Sequence, residues 1–223
     1  MLGFFQEIGV LDAIQVTLKM AICSTLISSV LGVVLGLALE HFQFPGKKIV
    51  VRINRAFMGM PPVVAGLIVY LLLMRRGPLG FLDMLFTIEG MIVAQTLIIT
   101  PIICGMIYSY ANKQAPAIRE FAHTMGATRW QTTKTIVREM RREIYFCMVT
   151  GFGRSISEVG AVMLVGGNIK GHTRTMTTTI SLLKSQGIFT EGVSLGLLLL
   201  GMAFVIQWLC DFLQKDEDSA ENL

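Results

Sequence analysis

Five apolar blocks, 13–39, 56–74, 91–110, 144–165 and 193–213, constrain this chain more than anything else in it. A hydrocarbon core about 30 Å thick takes about 20 residues of helix. Backbone in lipid must satisfy its own hydrogen bonds, so such blocks fold as helices. The chain has 223 residues, 53% hydrophobic and 15% charged, which is too apolar for a soluble domain. The sequence therefore predicts an all-α polytopic membrane protein: one domain over 1–223 with five transmembrane helices. The first block exceeds a span and should tilt or project. Gly32 and Gly36 in the first block, and Gly192 and Gly196 at the fifth, suit close helix approach. Pro61 and Pro62 should start or kink the second span, and Pro101 should kink the third.

Charge sets the expected orientation. Lys47, Lys48, Arg52 and Arg55 lie between spans one and two, and seven basic residues lie between three and four. The opposite side carries only Arg75 and Arg76, then Lys170, Arg174 and Lys184. Positive residues favour the cytoplasm, so the N-terminus is expected outside and the C-terminus inside. Glu7 and Asp12 agree with an outside start, and the acidic tail 216–218 is expected to be a short disordered end. The first residues carry no basic region or small-residue cleavage site, so direct insertion of the first span is expected. Cys23, Cys104, Cys147 and Cys210 are far apart and show no metal spacing.

The polar run 112–143 reads NKQAPAIREFAHTMGATRWQTTKTIVREMRRE. Pro116 suits a first helical turn and Glu120 an early position on the dipole. Gly126, Ala127 and Thr128 then predict a turn between two short helices. By residue pattern alone the run is either a docking element or a basic loop lying on anionic lipid.

Glu120, Ala122, Gly126 and Ile136 resemble the "EAA" coupling loop of permease subunits of ABC importers. Phe121, Arg138 and Glu139 depart from that pattern, whose usual ending is Leu-Pro. With PPVVAG, RGPLG, IVAQTLIITP and SEVGAVMLVGGNIKGHTRTMTT, most of the chain resembles the oxyanion branch of these permeases, which serves tungstate, molybdate and sulfate. The last stretch is most similar to the tungstate permeases. The resemblance implies a type I importer permease acting as a homodimer in a prokaryotic inner membrane. It implies a cytoplasmic ABC ATPase dimer docked through Glu120, Ala122, Gly126, Ala127 and Ile136, with ATP and Mg on that ATPase. It also implies an extracytoplasmic oxyanion-binding protein, and no nucleic acid.

No cofactor or metal is expected on this chain. Gly166-x4-Gly171-His172-Thr173 approaches a P-loop, but His172 replaces the lysine and no strand precedes it. No protease, nucleophile or acidic-pair motif points to an enzyme. An ion-gradient transporter is the alternative class, but no internal repeat supports it. Thr100, Ser157, Asn168, Thr173 and Thr175 are candidate path donors for an anion, set against the ordinary habit of membrane hydroxyls to bond their own helix. Arg154 and Glu158, four residues apart, share a helix face. They form either an anion ligand with its neighbour or a structural pair that makes both charges tolerable at depth.

Overall fold

The computed structural model describes residues 9–220, and side chains for 9–208 and 212. Glu7 and the Cys210 side chain lie outside the described residues. All regular structure among these residues is helical. Helix α1 spans Val10–His41. Helices α2, Lys47–Met58, and α3, Pro62–Leu73, follow with a bend of 102° between them. A short turn at Gly80–Leu82 leads to α4, Ile88–Thr124, which Thr87 caps by accepting from the Gly90 N–H at 3.2 Å. Helix α5 covers Arg129–Glu139, α6 Arg141–Ile156 and α7 Gly160–Gly166, with a 59° bend between α6 and α7. Helices α8, Met176–Ser185, and α9, Phe189–Ala220, complete the chain.

Among the described residues three helices, α1, α4 and α9, are long and apolar enough to cross a bilayer, and each bent pair adds at most one more span. The apolar block 56–74 is therefore not one helix. Pro61 is extended and Pro62 starts α3, because a proline fits the first turn but not a helix interior. With 12 residues, α3 rises about 18 Å and cannot cross a hydrocarbon core by itself.

Two further expectations are corrected. Pro116 does not open a short helix; it sits inside α4, which carries the third span straight into the basic run. An interior proline costs about 3 kcal/mol, and burial offsets it here: Ala111, Ala115, Ile136 and Met140 form one packed cluster. The acidic tail does not leave the fifth helix, since α9 continues to Ala220. After Gly201 no glycine or proline interrupts it before that point.

The centre of the bundle is the seam between α1 and α4. A methyl group added at Gly32 would lie 2.7 Å from Ile103, and one at Gly36 would lie 2.8 Å from Ile107. Absent side chains thus let the two helices touch backbone to side chain. The other pair does no such work: a methyl group added at Gly192 would lie 3.7 Å from Leu183 and one at Gly196 4.0 Å from Ile180, ordinary contact distances. At one end of the bundle α8 packs on α1 and α9 through Val10, Ala13, Met176, Leu183 and Leu195. At the other end α4 and α5 form a projecting hairpin.

Candidate functional site

The hairpin is built from local rules. Gly126 has φ of +70°, a backbone conformation that side chains disfavour, and the Ala127 N–H bonds the Ala122 carbonyl at 3.0 Å. Thr128 then starts α5 with a reciprocal cap: its hydroxyl accepts from the Gln131 N–H, and the Gln131 side chain accepts from the Thr128 N–H at 2.8 Å. Of the residues singled out by pattern, Ala122 and Ile136 are buried inside the hairpin, Ala127 is half-buried, and Glu120 and Gly126 are exposed. The tip presents Phe121, Met125 and Trp130, which are 67%, 73% and 77% exposed. Phe121, a departure from the family pattern, therefore belongs to the exposed apolar tip.

Polar ties hold the hairpin to the bundle. Arg119 meets Glu40 of α1 through two bonds, at 2.8 and 3.2 Å. Gln114 donates to Glu143 of α6 at 2.7 Å. Sequence reasoning missed Glu40, although a lone acid at the end of a long apolar block was a usable signal.

The second assembly surrounds the break between α6 and α7. Arg154 and Glu158 pair at 2.9 Å, with Glu158 4% and Arg154 32% exposed. Glu158 also accepts from the Ala161 N–H at 3.2 Å, which caps α7, and its carbonyl accepts from the Thr177 hydroxyl at 2.9 Å. One residue thus joins α6, α7 and α8. Nearby, the Gln95 amide of α4 donates to the Ser155 carbonyl at 2.9 Å, close to the helix end, where carbonyls lose their ladder partners. The Gln95 carbonyl accepts from Ser24 of α1 at 2.7 Å and from the Ser155 hydroxyl. Gln95 and Ser24 are fully buried. Neither residue was a candidate in the sequence; the signal was an amide inside an apolar block.

The five hydroxyl and amide candidates are not gathered into one lining. The Thr173 hydroxyl donates to the Gly166 carbonyl and accepts from the Ile169 N–H, so it ties its own loop. Thr175 caps α8 in a reciprocal pair with Thr178. Both hydroxyls are consumed inside the chain. Ser157 is exposed and bonds the Arg154 carbonyl at 3.1 Å. Thr100 Oγ1 and Asn168 Oδ1 are buried atoms without a partner, on α4 and on the loop after α7. No group of metal-ligating side chains occurs among the described residues.

A family model described as "binding-protein-dependent transport system inner membrane component" matches residues 28–217. The tungstate uptake system permease protein TupB of Peptoclostridium acidaminophilum is 40% identical over 86% of this chain and 85% of that protein. The TupB protein of Campylobacter jejuni is 32% identical over 96% of this chain and 92% of its own length. The sulfate transport system permease protein CysW of Escherichia coli is 27% identical over 95% of this chain and 78% of that protein. In fold, the chain is similar to a chain of a bacterial alginate ABC transporter crystallised with an alginate-bound periplasmic protein. The TM-score is 0.76 at 21% identity, covering 92% of this chain and 78% of the other.

Proposed function

The chain belongs to the family of binding-protein-dependent transport system inner membrane components, and on that premise we propose that it is the permease of an ATP-driven importer that passes tungstate into the cytoplasm. It is a multi-pass transport component, with ATP hydrolysis on a separate subunit. In this reading two copies form the path at their two-fold interface, and an external binding protein delivers the anion. A cytoplasmic ATPase dimer, which holds ATP and Mg, docks on the α4–α5 hairpin. The N-terminus is outside and the hairpin inside.

The observation that carries the reading is the hairpin tip. Phe121, Met125 and Trp130 form an exposed apolar group on the most basic segment of the chain, away from the apolar spans. Exposed apolar groups on a polar surface mark protein contacts. Tungstate is a doubly charged tetrahedral ion, and an isolated charge in hydrocarbon costs many kcal/mol. A permease must therefore surround the ion with dipoles and open to one side at a time. Selectivity for tungstate over molybdate or sulfate rests on relatives of this chain that are tungstate uptake permeases.

The test is radiotracer uptake into vesicles holding the reconstituted importer. ATP-dependent tungstate uptake, competed more weakly by molybdate and sulfate, is expected. A sugar or an amino acid as the preferred cargo would sink the assignment. In a cysteine-free background, Gly3→Cys should label from outside in intact cells and Lys113→Cys should not; the opposite result reverses the orientation.

A further inference from the structure

Helix α2 has three distinct faces. At 100° per residue, Lys47, Val51, Asn54 and Met58 share one side, which packs on α4: Asn54 donates to the Pro101 carbonyl at 3.2 Å, and Gly105 sits under Met58. Lys48, Arg52 and Arg55 form an adjacent basic strip. Ile49, Ile53 and Phe57 form the remaining side and are 61%, 50% and 43% exposed. No residue of α2 is buried and none is acidic. The basic strip borders a cavity of about 720 Å³, lined by Lys47, Lys48, Arg52, Arg55, Tyr108 and Asn112 among others. Lys47 is already engaged: its ammonium donates to the Glu40 carbonyl at 3.0 Å and lies 5.9 Å from the centre of the Tyr108 ring.

We propose that α2 lies in the cytoplasmic membrane interface and that its basic pocket holds the headgroup phosphate of an anionic phospholipid. The sidedness rests on the orientation proposed above. An interfacial helix presents an apolar side to acyl chains and basic residues to headgroups, which is the arrangement of Ile49, Ile53 and Phe57 beside Lys48, Arg52 and Arg55. Two guanidinium groups suit phosphate oxygens. A second copy of the chain is the rival occupant. A two-fold contact along this helix would set the same basic strip close to itself, whereas an anionic lipid neutralises it.

Native mass spectrometry of the full-length protein, in the assembly in which it purifies, tests the proposal with phosphatidylglycerol and phosphatidylcholine as probes. A basic residue at an anionic surface contributes about a fivefold gain in affinity. Phosphatidylglycerol should therefore be held at least about tenfold more tightly than phosphatidylcholine. Lys48→Ala with Arg52→Ala and Arg55→Ala should bring the ratio to about twofold or less. If that variant does not fold, Arg55→Ala alone should lower the ratio about fivefold. Removing three charges from the hairpin, with Lys113→Ala, Arg129→Ala and Lys134→Ala, should leave it unchanged.

No lipid preference in the wild type would overturn the proposal, as would an equal loss in the hairpin variant. So would displacement of the lipid by millimolar inorganic phosphate or tungstate, which would make the pocket a free-oxyanion site. Copy-to-copy cross-linking of Ile53→Cys would show that a second chain covers the apolar side. Lipid retention is read without transport, so failure of tungstate uptake would leave this result standing.

Discussion

Helix is interrupted at 157–159, between α6 and α7, and at 125–128, between α4 and α5, and the two interruptions are held in opposite ways. The first lies within an apolar span. Its carbonyls find partners from other helices, Thr177 at Glu158 and, one turn earlier, Gln95 at Ser155, while the Glu158 carboxylate pairs with Arg154 of α6. The second is exposed and holds itself with a left-handed glycine and a reciprocal cap, all within seven residues. The lesson is about solvent. A break in lipid has no water to accept its loose ends, so partners must be imported from other helices. A break in water can be local, which leaves its apolar side chains free for a partner.

That contrast makes predictions on stability and transport, beginning with the largest effect. Arg154→Ala strands Glu158, which is 4% exposed, and breaking a buried pair costs about 3–5 kcal/mol. The yield of detergent-stable protein should collapse, and adding Glu158→Ala should restore part of it. Normal assembly of Arg154→Ala with loss of transport alone would place Arg154 in the anion path instead. Gln95→Leu removes the amide bond to the Ser155 carbonyl, which keeps the Glu158 N–H at 3.4 Å. It also removes the bonds from the Ser24 and Ser155 hydroxyls, of which Ser24 keeps the Ala21 carbonyl. Each lost hydrogen bond is worth about 0.5–1.5 kcal/mol. Thermal unfolding in detergent should shift down accordingly; an unchanged midpoint would mean that the break does not depend on α4.

The hairpin should respond differently. Gly126→Val forces a branched side chain into the left-handed region at about 1–2 kcal/mol, with no neighbouring atom within 4 Å of the added carbon. The protein should insert and purify, yet lose ATP-driven uptake. Wild-type uptake at equal expression would argue that the turn does not couple. Thr128→Ala removes only a cap, worth about 1 kcal/mol. It should lower uptake modestly with no measurable change in assembled yield, and a large loss of yield would erase the distinction between the two breaks.

The sequence by itself determined that the chain is helical and spans a membrane, because apolar length and backbone bonding leave no alternative in lipid. Its motifs also carried the family, through Glu120, Ala122, Gly126, Ile136 and the stretch after Ser157. The turn at Gly126 was legible because its cause is local. Other features depended on what faces each residue, which spacing cannot report. Side chains at Gly32 and Gly36 would clash with Ile103 and Ile107, while Gly192 and Gly196 have room for one, although both pairs have the same spacing. Pro116 continues a helix because Ala111 and Ala115 are packed against Ile136 and Met140. Thr173 and Thr175 spend their hydroxyls within the chain, and Gln95 and Glu40 acquire their partners from helices distant in sequence. Local rules act over one or two turns of chain; the worth of a buried polar group or a missing side chain is set by the neighbour across the gap, and only the tertiary structure supplies that neighbour.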